Sequence, residues 1–178
     1  MALPLSVPIA NPILLADDKS QPTNRDSVAA VLTRCKSPLI ADWLARTKTT
    51  PELNHLHLSD GERTGHLPKL LDDIVARLAK PKIPTKDSDA RYSIAALDHG
   101  LLRRKQHYTA GMLIHESRIL QVTIFGTLHQ NLGVLDFNSV LPDVMIIADE
   151  VDAQLTQTME SFSNGTSKSA NPELLRTN

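Results

Sequence analysis

Between residues 25 and 162 the apolar positions recur every three or four residues, the period of a helix with one buried face. No run shows the strict alternation of a half-buried strand. The first such segment is "RDSVAAVLTRCKSPLIADWLARTK", with a break or kink expected near Ser37 because Pro38 lacks a backbone donor and crowds the preceding turn. Ser59 and Glu62 have the S-x-x-E spacing of a capping box. Beyond them "HLPKLLDDIVARLAK" lines up Leu67, Leu70, Leu71, Ile74, Val75 and Leu78 on one face, until Pro81 and Pro84 end it. A third helix is predicted from about Lys86 to Gln106 and a fourth from a Thr109 cap to about Asn131. A fifth runs from Asn138 or Ser139 to about Phe162, with Val140, Val144, Ile147, Val151, Leu155 and Thr158 in near-heptad spacing. The predicted fold is all-α, a single antiparallel bundle of about five main helices, of which a globin-like arrangement is one form.

Flanking stretches behave differently. Residues 1–24 hold several of the eleven prolines and little periodicity, which predicts an irregular or disordered arm. Residues 163–178 read as a polar tail. The N-terminal run "MALPLSVPIANPILLADD" has neither the basic start nor the unbroken apolar core of a signal peptide. No stretch is apolar for the ~18 residues that a membrane span requires. These features predict a cytoplasmic protein without a membrane partner.

Helical wheels place the charges. On the fourth helix Met112, Leu113, Ile119, Leu120, Thr123 and Ile124 share an arc, and Glu116 falls inside it. A carboxylate there is costly unless paired. On the third helix the wheel groups Ile94, Leu97, Leu101 and Arg104, with His99, Arg103 and Gln106 on a different face. A turn at Tyr108–Thr109 folds the two helices into an antiparallel pair, bringing Arg103 or Arg104 to Glu116. The wheel favours Arg104. A structural ion pair, a polar pocket for a ligand or partner side chain, and a solvent-exposed Glu116 are the three readings of that geometry.

Composition narrows the chemistry. Nineteen Lys and Arg balance twenty Asp and Glu, without the basic stripe that nucleic acid requires. His99, His107 and His115 stand eight apart, each step drifting about 80° round a helix, and none of the three belongs to an H-x-x-x-H or E-x-x-H motif. His55 and His57 fall in a loop. No metal site or cofactor is expected, and the low aromatic content argues against a haem pocket. The single Cys35 reads as a buried, inert thiol. There is no G-x-S-x-G elbow and no glycine-rich phosphate loop, so the chain reads as non-enzymatic. His115–Glu116 is similar to the phosphoacceptor pair of histidine kinases but lacks the proline that follows there, which leaves phosphotransfer through His115 or His99 as a lesser alternative.

The stretches "LIADWLARTKTTPEL", "HLPKLLDDIVARLAK" and "HGLLRRKQHYTAGMLIHESRIL" resemble the RsbRD N-terminal domain family over about residues 37–160. These are helical input domains of RsbT co-antagonist (stressosome) proteins and of some bacterial sensor histidine kinases. The matching signature is His99, Gly100, Arg103, Gln106, Tyr108 and Glu116, with His107 standing where a turn glycine is usual. The resemblance singles out Arg103 where the wheel favours Arg104. It implies a non-catalytic sensory or regulatory bundle in stress-response or two-component signalling, often dimeric, acting through a partner such as a kinase or other output module. With no output module following Phe162, that partner would act in trans. The fifth helix would be both relay and homodimer seam. A sensor carrying haem, a metal or a small apolar molecule between its helices is the alternative.

Overall fold

A computed structural model describes residues 25–80 and 92–167, with side chains to residue 164. The predicted arm over 1–24 lies outside these residues, as does the end of the chain beyond Ser167. The fold is all-α. Eight helical segments are found among the described residues: α1 (Val28–Arg34), α2 (Lys36–Thr49), α3 (Pro51–Asn54), α4 (Asp60–Thr64), α5 (Leu67–Leu78), α6 (Ile94–Lys105), α7 (Ala110–Gln130) and α8 (Phe137–Ser167). None is long and apolar enough to cross a membrane.

The break after α1 falls at Cys35, two residues before the expected point. Pro38 then occupies the first turn of α2, where a missing backbone donor costs nothing. Cys35 itself is half-buried, in place of the fully buried thiol expected. The Ser59–Glu62 capping box forms in full, but the helix it opens is the short α4, and α5 starts afresh at Leu67. Helix α6 begins at Ile94, capped by the Ser93 hydroxyl, which accepts from the Ala96 N–H at 3.0 Å; the predicted start near Lys86 lies outside the described residues. Helix α7 matches its predicted limits, capped by Thr109 and ending at Asn131. Helix α8 runs on through Ser167, past the expected start of a polar tail at residue 163.

One core holds Val28, Val31 and Leu32 of α1, Leu39 and Trp43 of α2, Leu67, Leu71 and Ile74 of α5, Leu120, Ile124 and Leu128 of α7, and Ile147 and Val151 of α8. A second, at the other end of α7, packs Leu53, Tyr108, Met112 and Leu113 against Met159 and Phe162. The start of α7 therefore meets the end of α8, and its end meets the beginning of α8, so these two helices are antiparallel. The predicted seam on α8 turns inward in place of awaiting a second copy: Ile147, Val151 and Thr158 are buried in the bundle, and Val140, Val144 and Leu155 are half-buried.

Helix α6 reverses the wheel. Its buried residues are Ala95, Ala96, His99, Gly100 and Arg103, whereas Ile94 is 69 % exposed, Leu101 is exposed and Arg104 only half-buried. The cause is a close approach to α8. The Ser93 N–H donates to Gln157 Oε1 (2.6 Å), and the Thr158 hydroxyl donates to the Ala96 carbonyl (3.0 Å). A Cβ on Gly100 would lie 2.0 Å from Ser161 Oγ and 2.2 Å from the Thr158 carbonyl oxygen. Contacts thus advance together along both helices, so α6 and α8 run in the same direction, and only small side chains fit between them. The α6–α7 pairing is made by side chains, with the close backbone contact going to α8.

Candidate functional site

The turn from α6 into α7 sets the site. The Tyr108 N–H donates to the Arg103 carbonyl (3.0 Å) and the His107 N–H to that of Arg104 (3.1 Å), the two bonds of a Schellman motif. His107 supplies its left-handed residue at φ 61°, a backbone conformation that glycine adopts with less strain. The motif aims Tyr108 back under α6, towards Glu116 two turns into α7.

Glu116 and Arg103 meet there almost without exposure, at 3 % and 0 %. Arg103 Nε donates to Glu116 Oε2 at 2.9 Å, and Nη2 lies 2.9 Å from Oε1 in the same ion pair. The remaining Arg103 protons also have acceptors. Nη1 donates to the Glu62 carbonyl (3.0 Å) and Gln106 Oε1 (2.6 Å), and Nη2 donates to the Arg63 carbonyl (2.7 Å) and faces His66 Nδ1 (3.4 Å). All five N–H groups of the guanidinium are therefore used. Two of them close the orphan carbonyls of α4, where a cation is favoured. Glu116 is equally committed: besides Arg103, the Tyr108 hydroxyl donates to Oε1 (2.8 Å), and His99 Nε2 lies 3.4 Å from Oε2. The Trp43 indole donates to the Glu116 backbone carbonyl (3.3 Å), tying α2 to the same turn.

Of the residues singled out from sequence, His99, Arg103, Gln106, Tyr108 and Glu116 form one cluster. Arg104 is not among the partners of Glu116, which corrects the wheel. Sequence reasoning missed His66 and Arg63. The His66 ring stacks on His99 with centroids 3.9 Å apart and meets Trp43 edge-on at 5.8 Å. Its only sequence signal is register, four residues before Leu70 and eight before Ile74 on the apolar arc. Arg63 is buried and donates to the carbonyls of Leu53, Leu56 and Leu58, holding the α3–α4 loop under the cluster.

The electrostatics follow from burial and pairing. Burial alone would raise the Glu116 pKa, but the His99 hydrogen bond and the Arg103 charge outweigh it and hold the carboxyl below its ordinary value. Burial, followed by the neighbouring Glu116 charge, raises the Tyr108 hydroxyl. Burial lowers both histidines, His66 well below its usual value with help from His99 and Arg103, while Glu116 partly offsets the shift at His99. Both imidazoles are thus neutral at pH 7. Because the unfolded chain takes up these protons near pH 6.5 and the folded one does not, stability is flat above pH 6.5 and falls on acidification below it. The Glu116 contribution is lost in turn below about pH 4.5. Thermal melts from pH 7.5 to 5 should show this decline, at up to about 1.4 kcal/mol per pH unit for each histidine. His66→Phe should flatten it; an unchanged slope would mean that His66 titrates normally.

Beside the cluster is a small cavity of about 30 Å³, bordered by His66, His99 and Glu116 on one side and by Leu67, Leu113 and Gln154 among others. That is room for about one water-sized group. His99 Nδ1 and Gln154 Oε1 are buried without a hydrogen-bond partner among the described residues. His66, His99 and Glu116 can bring one ligand atom each to within 4.8 Å of one another. That set suits a metal poorly: the carboxylate is already engaged by Arg103, Tyr108 and His99, and the Arg103 cation lies alongside. His115, the other candidate for chemistry, is half-buried on α7 and 3.9 Å from Glu52, away from the cluster. No family model, curated protein or solved structure matches the chain.

Proposed function

We propose that this chain is a non-catalytic regulatory module of signal transduction, in which a signal repacks α6 against α7 and α8 and a protein partner, such as a kinase or other output module, reads the change in trans. One observation carries the reading: every proton of the Arg103 guanidinium and both oxygens of Glu116 are bonded inside the protein. Groups so committed are placed to hold helices together, and turnover would require one of them to be free for a substrate. The cluster also joins the elements whose relative motion a relay needs, namely the α4 end, α6 and the first half of α7. Its resemblance to the RsbRD N-terminal signature supports a cytoplasmic, bacterial stress-response or two-component setting. Between that reading and a haem-carrying sensor, the roughly one-water cavity beside the histidines favours the former.

A relay needs a second packing of the same helices, populated enough to be shifted. Relaxation-dispersion NMR should therefore detect correlated microsecond-to-millisecond exchange in α6, the first half of α7 and residues 150–162. Glu116→Gln should enlarge the minor population. Flat dispersion profiles across these helices, in the native chain and the variant alike, would make the cluster a static brace and overturn the proposal. A Soret band in freshly purified protein would favour the haem-carrying alternative.

A further inference from the structure

Two hydrogen-bond acceptors border the small cavity beside the cluster, and both lack a donor. His99 on α6 and Gln154 on α8 line it, at 6 % and 3 % exposure. His99 Nδ1 and Gln154 Oε1 are each buried with no hydrogen-bond partner among the described residues. Their neighbours fix the polarity of both atoms. A carboxylate only accepts, so His99 Nε2, 3.4 Å from Glu116 Oε2, carries the ring proton and leaves a bare lone pair on Nδ1. Gln154 Nε2 donates to the Leu70 carbonyl (3.1 Å) and to Glu150 Oε1 (3.4 Å), which makes Oε1 the unengaged end of the amide. A buried acceptor without a donor is costly, and here two stand against one space.

The occupant that suits them brings two donors, fits about 30 Å³ and carries no net charge. One water needs roughly 10–15 Å³, and a cavity walled only by apolar groups would stay dry. An anion has no donor to offer. A monovalent cation would lose its hydration against Leu67, Leu113 and Val151, and the carboxylate on the wall, Glu116, is already neutralised by Arg103. We propose that the cavity is a binding site for one structural water, which donates to His99 Nδ1 and Gln154 Oε1 together. The water also extends the polar network. The cluster's direct hydrogen bonds end on α2, α4, α6 and α7. Through the water they continue to α8, and through the Gln154 amide to the Leu70 carbonyl of α5. The site stands whether or not the bundle is a relay.

Crystal structures of the full-length chain, native and Gln154→Met, test this, together with long-range proton–nitrogen NMR of the imidazoles at neutral pH. The native chain should show a single density peak at hydrogen-bond distance from both His99 Nδ1 and Gln154 Oε1, and Gln154→Met should lose it. In solution His99 should be the Nε2–H form, with an Nδ1 resonance displaced towards hydrogen-bonded values that returns towards a bare ring nitrogen in Gln154→Met. An empty cavity, a separate water on each acceptor, or a proton on Nδ1 overturns the inference, and all three are read on the native chain even if the variant fails to fold. A peak unchanged in Gln154→Met, or one with the anomalous scattering of a metal, overturns it too. Ammonium has the density of a water, so thermal melts in ammonium and sodium chloride at equal ionic strength separate the two. Equal midpoints are expected; a midpoint raised by ammonium would make the occupant a cation and overturn the inference.

Discussion

Arg103→Ala should lower stability by about 3–5 kcal/mol, the cost of leaving a buried carboxylate without its counter-charge. For a domain of this size that corresponds to a melting temperature lower by about 10–15 °C. Arg103 is fully buried and its five protons go to five acceptors, so no neighbour can take its place. Arg103→Lys should recover little, because three protons on one nitrogen cannot span the carboxylate and the two α4 carbonyls together. The pair is coupled, so Arg103→Met combined with Glu116→Leu should cost less than the two single changes summed, by about 1–3 kcal/mol. Denaturant titration of the four proteins checks this. Strict additivity would mean that the two groups do not sense each other in the folded chain.

Gly100→Ala is the second large effect. In a helix interior alanine is ordinarily favoured over glycine by about 1 kcal/mol. Here the added Cβ would stand 2.2 Å from the Thr158 carbonyl oxygen and 3.1 Å from the Phe162 backbone nitrogen. The Ser161 hydroxyl can rotate away, but the α8 backbone cannot, so the two helices must separate. We expect a net loss of about 2–3 kcal/mol, with the overpacking penalty exceeding the gain in helix propensity. Gly126→Ala in α7 is the internal control, since nothing lies within 4 Å of its added Cβ. It should be neutral or stabilise by up to about 1 kcal/mol. Equal behaviour of the two variants in thermal melts would show that α6 and α8 are not in close contact.

These two sites explain what was legible in the sequence. Helix α7 was: its threonine cap, its apolar arc and the misplaced carboxylate within that arc all depend on local spacing, which a wheel captures. The buried face of α6 was not. A wheel ranks Ile94, Leu97 and Leu101 as inward because it weighs apolar content alone. The contact with α8 selects by size, admitting Ala96 and Gly100, and the cluster selects by hydrogen bonding, admitting His99 and Arg103. The near-heptad spacing on α8 suggests a homodimer seam, whereas its buried residues pack on other helices of the same chain. Arg63 had no local signal at all, since its acceptors are carbonyls of α3 and the following loop, five to ten residues upstream.

The same cluster that defeats the wheel is what fixes α6 to α7. Its polar residues are affordable inside the bundle because each finds a partner from another element: α4 carbonyls for Arg103, a turn tyrosine for Glu116, a stacked ring for His99. Guanidinium-detected nitrogen NMR of the folded protein addresses that closure directly. At neutral pH the Arg103 side chain should give separate Nε and Nη signals whose protons exchange far more slowly than those of a free arginine, and Glu116→Gln should hasten that exchange. Averaged, fast-exchanging Arg103 signals in the native chain would mean that water reaches the pair, and the account of a sealed brace between α6 and α7 would be contradicted.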